Sequence, residues 1–381
     1  MVLRANVAAL FLYGLYGLYG LYGPSARAAD PDLTLKLEAG TEVDSNVHRA
    51  PSDQATVGAA VGRVGVRLDL AGRAGDAAVY ALDAVGAAKA FAGADSSSEN
   101  VAVAAADARV DLGAGAVAPG LRLSYYDVFG HDDNALTLRT GDASAALTLR
   151  AGAVRVAAAV GWRFLTYKPL AAFDFDGPHA GVTVGQRLRG DDSSWQLAWA
   201  AAYSAAVRGY TSGALASNCT PGAAVAPTCL AVTDVDRSDL FHDLAVDVTY
   251  TGAFILGLRL GLQIDDSNSF GQSLIRGRAE LSGTAELFFD VVATAKIILQ
   301  IDAYPDGLLL GGDVGTFTTI EDEARNAVIL HLTRDLGDAW TLEARLCAYA
   351  NPFASQAIAY SRQTAYLGVV YTFRSPAGSG R

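Results

Sequence analysis

The sequence predicts an all-β chain, a transmembrane up-and-down antiparallel β-barrel of about 16 strands behind a cleavable leader. Three observations predict it. Side chains alternate with a period of two along nearly the whole chain, charge stays on one face of each alternating segment, and the connections are long and short in turn. Between Leu274 and Leu287 the alternation has no fault. Arg276, Arg278, Glu280, Ser282, Thr284 and Glu286 share one parity, and Ile275, Gly277, Ala279, Leu281, Gly283, Ala285 and Leu287 the other. A strand places these sets on opposite faces, whereas a helix would scatter the charge around its circumference. A soluble barrel turns its apolar face inward and keeps few charges there. Charged faces backed by small apolar residues, repeated along the chain, imply hydrocarbon outside and water inside.

Composition agrees with this inversion. The 381 residues are 51% hydrophobic and 18% charged, with 40 glycines, a net charge of −11 and a mean hydropathy of +0.23. That hydropathy is high for a soluble chain with so many charges. Yet no stretch after the leader offers the ~20 apolar residues of a spanning helix. Spreading hydrophobicity over alternating strands meets the same requirement, because a closed barrel satisfies its backbone polar groups internally.

The first 28 residues read as a signal peptide. Arg4 supplies the charge, Val7 to Gly23 the apolar stretch with its Leu-Tyr-Gly repeat, and Ala26-Arg27-Ala28 a small-x-small cleavage site. Residues 29–373 are then expected to form one barrel and 374–381 a tail.

The first strand is expected over Leu33 to Asn46. Its connection to the second, Val47 to Gln54, is long and polar, while the next, Ala71 to Gly75, is a tight glycine turn. A Ser-rich acidic connection follows over Ala92 to Asn100, then a short one at Ala118-Pro119-Gly120. Further short connections are expected at Ala151-Gly152, Gly190 to Ser194, Thr251-Gly252, Asp290 and Gly337 to Ala339. Long ones are expected over Tyr167 to Pro178, Thr211 to Asp236, Asp265 to Gln272, Pro305 to Glu323 and Asn351 to Tyr360. Between Ala135 and Arg150 the parity changes: Leu136 and Leu138 share one face, Leu147 and Leu149 the other. A β-bulge near Gly141 to Ser144 would restore the register.

The last segment, Tyr366-Leu367-Gly368-Val369-Val370-Tyr371-Thr372-Phe373, resembles the C-terminal assembly signal of Gram-negative outer-membrane barrels. In that resemblance Leu367, Val369, Tyr371 and Phe373 face lipid, with Phe373 in the interfacial aromatic girdle. The chain departs from the pattern by continuing from Arg374 to Arg381. The resemblance implies a porin-like barrel in the outer membrane, with lipid, lipopolysaccharide and the barrel assembly machinery as partners. Glu42 to Val47 is similar to the first-strand ending of some polysaccharide-export and surface-protein-export barrels. That likeness would imply periplasmic export partners.

Parity assigns the wall of the lumen. Its expected residues include Arg63, Arg67, Asp107, Arg109, Asp111, Arg139, Arg155, Arg163, Arg259, Arg276, Arg278, Glu280, Lys296, Glu343 and Arg345. A modest cationic excess among them would favour anions; pairing with neighbouring carboxylates would instead stiffen the wall. The opposite parity gives a lipid face that includes Val64, Val66, Leu256, Leu258, Leu260, Leu262 and Ile264. Cys219 and Cys229, in one polar loop, are positioned for a disulfide that an exported compartment permits, and Cys347 has no obvious partner. The acidic groups Asp174 to Gly177 and Glu321 to Glu323 lack calcium-loop spacing. No metal, cofactor or nucleic-acid partner is expected.

Catalysis finds little support. Ser238 and His242 share a face but stand ~13 Å apart along a strand, and no nucleophile elbow or phosphate loop occurs. Three readings follow: a water-filled channel for small hydrophilic or anionic solutes, the outer-membrane part of a polymer-export machine, or a structural or adhesive barrel with a plugged interior. Inward aromatics for stacking sugars are few, namely Tyr126, Tyr304, Tyr349 and Tyr366 by parity.

Overall fold

In the computed structural model, residues 32–50, 55–75, 77–113, 115–130, 137–168, 171–189, 194–218, 229–306, 326–351 and 359–375 are described. Sixteen strands close into one antiparallel barrel. They are β1 (Asp32–Asp44), β2 (Ala59–Ala74), β3 (Ala78–Phe91), β4 (Val101–Leu112), β5 (Val117–Gly130), β6 (Leu138–Ala151), β7 (Val154–Tyr167) and β8 (Phe175–Arg189). Then follow β9 (Gln196–Ser217), β10 (Leu230–Thr251), β11 (Ile255–Ser267), β12 (Leu274–Glu286), β13 (Val291–Ala303), β14 (Asn326–Asp335), β15 (Trp340–Asn351) and β16 (Tyr360–Arg374). Each strand pairs with its chain neighbours, and β1 pairs with β16 to close the ring. No described helix is long and apolar enough to cross a membrane.

Alternation fixes the register. On β11, Leu256, Leu258, Leu260, Leu262 and Ile264 are all exposed, while Arg259 between them stands opposite Asp247 on β10 and Glu280 on β12. A slip of one residue would move every charge on the strand to the apolar face. The same parity leaves Val64 and Val66 on β2, Leu121 and Leu123 on β5, and Leu299 and Ile301 on β13 exposed. These rows form an outer apolar surface. The inner face holds most of the ion pairs.

Connections alternate in length around the ring, defining a long-connection end and a short-connection end. Some sequence expectations are corrected. β6 pairs with β5 and β7 without a register shift, so no bulge lies at Gly141 to Ser144. Leu138 instead packs inside, against a cluster of Val101, Val103, Ala105, Tyr126 and Val128. The irregularity occurs between β9 and β10, at Val232/Asp236 and Asp236/Ser238. Much of the stretch expected as loop from Thr211 to Asp236 is strand, because these two strands reach 22 residues each and rise beyond their neighbours. Pro119 lies inside β5, which begins at Val117, so the short connection falls before the residues expected for it. Proline fits there because β5 is only beginning.

Two strand neighbours far apart in sequence make the closure. Tyr366 on β16 lies across Gly40 on β1 and its own strand's Gly368. A Cβ on Gly40 would come 2.6 Å from the Tyr366 ring and 2.5 Å from the Leu367 carbonyl oxygen. The aromatic ring thus occupies the space that two missing side chains leave. Near the long-connection end of this seam, Arg362 binds the Asp44 carboxylate through Nε and Nη2, both groups buried.

Candidate functional site

A cavity of about 320 Å³ touches residues from Thr34 on β1 to Ala200 on β9. Only the barrel interior can be bordered by nine consecutive strands, so the charged residues that line it point inward. Parity carries the assignment around the rest of the wall.

Most inward charges are matched by neighbours. Glu42 accepts from Arg63 Nη1 at 3.0 Å and Lys89 Nζ at 2.7 Å, all three buried. Arg67 donates to Asp69 at 3.1 Å and Asp83 at 2.6 Å. Arg163 lies 3.2 Å from Asp142, and Arg259 3.2 Å from Asp247. Arg276 grips Asp302 with two hydrogen bonds of 3.0 and 2.8 Å. Glu280 is held by Arg278 at 2.8 Å and Lys296 at 2.5 Å, and Glu343 by Arg345 and by His331 at 2.9 Å. The buried pairs, those of Glu42 and Asp302, resist disruption, since removing one partner strands the other beside low-dielectric wall. Over this part of the wall, the arginines brace carboxylates.

One region differs. Asp111 is the single carboxylate near three guanidiniums, with Arg109 Nε at 3.7 Å and Arg150 and Arg155 Nη2 at 3.9 Å each. Arg122, directly across from Arg109, lines the cavity together with Arg109 and Arg155. These residues lie toward the short-connection end of β4 to β7. Arg122 and Arg150 were not singled out by sequence parity. The signal that finds them is register, because it sets Arg109 opposite Arg122 and Arg150 opposite Arg155.

Arg139 does not belong to the inner wall. It stands opposite Asp127, which shares its parity with the exposed Tyr125 and Phe129. Arg139 Nε donates to Asp127 at 2.9 Å, Lys168 Nζ donates to the same carboxylate at 2.9 Å, and the Tyr125 hydroxyl does so too at 2.9 Å. This outward cluster caps the apolar rows at the long-connection end, where charge meets the edge of a membrane at little cost. The sequence reading misplaced Arg139 because the assumed bulge reversed its parity.

The long-connection half of the interior is apolar in places. Val47, Val61 and Phe91 form one cluster, and Ile298, Ala327, Ile329, Cys347 and Tyr349 another. Tyr126, Tyr349 and Tyr366 are each no more than 8% exposed, so their rings are already covered by neighbours. Cys347 is a free, buried thiol, and Cys229 is disulfide-bonded; Cys219 lies outside the described residues, as does Glu321 to Glu323. Asp174 is engaged locally, accepting from the Tyr167 backbone N–H at 2.6 Å. Of the C-terminal segment, Leu367, Val369 and Phe373 are exposed, Tyr371 packs on Trp340 at 4.9 Å between ring centroids, and Tyr366 points inward.

His242 bonds the Tyr203 hydroxyl at 2.8 Å on the outer face, and Ser238 binds Asn268 through its backbone N–H. Inside, Ser144, Gly161 and His179 form one cross-strand row, with His179 Nε2 2.7 Å from Asp142. The Ser144 hydroxyl has no hydrogen-bond partner, so Ser144 and His179 do not form the hydrogen-bonded pair that nucleophilic catalysis uses. Among the described residues no acidic, histidine or cysteine group is arranged to hold a metal.

No family model and no curated protein sequence matches the chain. Among solved structures it is similar to an anion-selective porin from Comamonas acidovorans, with 12% identity, 91% of this chain and 100% of that chain covered, and a TM-score of 0.49. It is also similar to a loop-deleted OmpT, an outer membrane protein of Vibrio cholerae (11% identity, 91% and 100% covered, TM-score 0.46). A third is Acinetobacter baumannii OccAB3 (8% identity, 91% and 100% covered, TM-score 0.44).

Proposed function

We propose that this barrel sits in an outer membrane and forms a water-filled channel for small hydrophilic solutes, with a preference for anionic groups. The observation that carries the reading is the inversion of the fold. Exposed leucines, valines and aromatics cover the outside, while ion pairs line the inside around a cavity. Lipid and lipopolysaccharide would cover the outer rows, and the barrel assembly machinery would insert the chain through its final strand. The preference for anions rests on Arg109, Arg122, Arg150 and Arg155, four guanidiniums gathered on one patch of the wall around Asp111. The export reading draws little support from the interior, because Tyr126, Tyr349 and Tyr366 are covered and leave no row of rings on which a sugar polymer would stack.

Liposome swelling tests the channel. Vesicles carrying the refolded protein should swell in small sugars and swell progressively more slowly as the sugar grows. Swelling no faster than in protein-free vesicles, with the barrel shown to be folded, would rule the channel out.

A further inference from the structure

The cross-strand register sorts charge into rows. Asp69 on β2 stands opposite Asp83 on β3, Asp83 opposite Asp107 on β4, Asp107 opposite Ser124 on β5, and Ser124 opposite Asp142 on β6. The next inward row toward the short-connection end sets Arg109 opposite Arg122. Four carboxylates therefore share one row and two guanidiniums the adjacent one, and the cavity is lined by both. Like charges directly opposite each other destabilise a sheet, so each row gains from a counter-charge. Part of that need is met internally: Arg67 serves Asp69 and Asp83, Arg163 and His179 serve Asp142, and Asp111 serves Arg109.

Two groups are left over. Among the described residues Asp107 makes no ion pair, and the residues directly across from it are a carboxylate, Asp83, and a hydroxyl, Ser124. Arg122 makes no ion pair either, and its Nε is buried without a hydrogen-bond partner. They lie on neighbouring strands, two residues apart in register, a diagonal of roughly 7–8 Å between backbones. They nonetheless do not pair with each other. One unmatched acid and one unmatched base thus face the same cavity.

We propose that this step in the wall is a binding site for a small zwitterion. Its ammonium would sit against Asp107, with Asp83 opposite, and its carboxylate against Arg122, with Arg109 beside it. This deepens the channel reading, on which it rests, by naming the solute class that the interior retains. A simple anion satisfies only the arginine row and leaves Asp107 unmatched. A simple cation does the reverse.

The test uses the refolded full chain in detergent, titrated calorimetrically with glycine, β-alanine and γ-aminobutyrate, and with acetate and methylammonium as single-charge probes. Charge-assisted hydrogen bonds of ordinary strength predict that the best of the three zwitterions binds roughly tenfold or more tightly than either single-charge probe. Asp107→Asn and Arg122→Gln should each remove that advantage, whereas Asp247→Asn, at a matched pair elsewhere on the wall, should not. Acetate binding as tightly as every zwitterion would reduce the site to a plain anion site and overturn the proposal. No binding of any zwitterion, or an unchanged preference in Asp107→Asn, would also overturn it. The wild-type probe series decides the question even if a variant fails to fold. Calorimetry does not require conduction, so vesicles that fail to swell would sink the channel without touching this site, and swelling without zwitterion binding would sink the site alone.

Discussion

At the residue scale the account turns on which way a side chain points. Leu260 and Arg259 are sequence neighbours on β11, the first exposed to the outside and the second 3.2 Å from Asp247. A charge at mid-membrane on the outer face costs ~2–4 kcal/mol. Leu260→Arg should therefore destabilise the barrel by about that amount, while Arg259→Leu leaves Asp247 beside water and costs less. Urea titration of protein folded into vesicles, read by the heat-modifiable shift on gels, measures both; equal tolerance would mean the two faces are wrongly assigned. Parity alone placed Arg259, Arg276 and Glu280 on the inner wall, because nothing interrupts the alternation around them. It failed at Arg139, where a change of leucine parity looked like a bulge. Leu138 in fact belongs to an inward apolar cluster, a feature that a rule of charge inside and grease outside does not anticipate.

Elements show where local pattern stops being enough. The strands themselves were legible, since each carries its own alternation. Their ends were not. β9 and β10 extend well into the stretch whose polar and glycine residues suggested a loop, because paired backbones satisfy each other's hydrogen bonds in water as well as in lipid. Long-range register was equally hidden: the sequence shows Tyr366 as an aromatic of inward parity, but only β1–β16 pairing shows that it fills the space over Gly40 and Gly368. Gly40→Val would drive a side chain into that ring and the Leu367 carbonyl. Overpacking of this kind costs ~1–3 kcal/mol. The variant should close more slowly and unfold at lower urea, whereas Gly277→Ala, where an added Cβ meets nothing within 4 Å, should behave as wild type. Wild-type stability in Gly40→Val would show that Tyr366 does not hold the seam.

Across the whole molecule, inversion and closure act together. Sixteen strands leave no free edge, so the backbone is satisfied, and the apolar rows can face hydrocarbon only if the charged rows have their own water. Matched pairs account for most of that interior, which makes the wall rigid and keeps its net field small. Asp107 and Arg122 stand on the adjacent strands β4 and β5, so selectivity on this account is a local property of one sector rather than of the full ring. Parity suggested a modest cationic excess spread around the lumen; the register concentrates it around Asp111 and sets a row of carboxylates directly beside it. That segregation depends on pairing between strands, and no single strand's pattern contains it.

The most direct test of the central claim, that charged side chains enclose continuous water, is single-channel recording from the refolded chain in a planar bilayer. The account predicts a stable, stepwise conductance proportional to salt concentration, with a reversal potential in a salt gradient that favours anions and is reduced in Arg122→Gln. A barrel that is folded and inserted yet passes no current would contradict it.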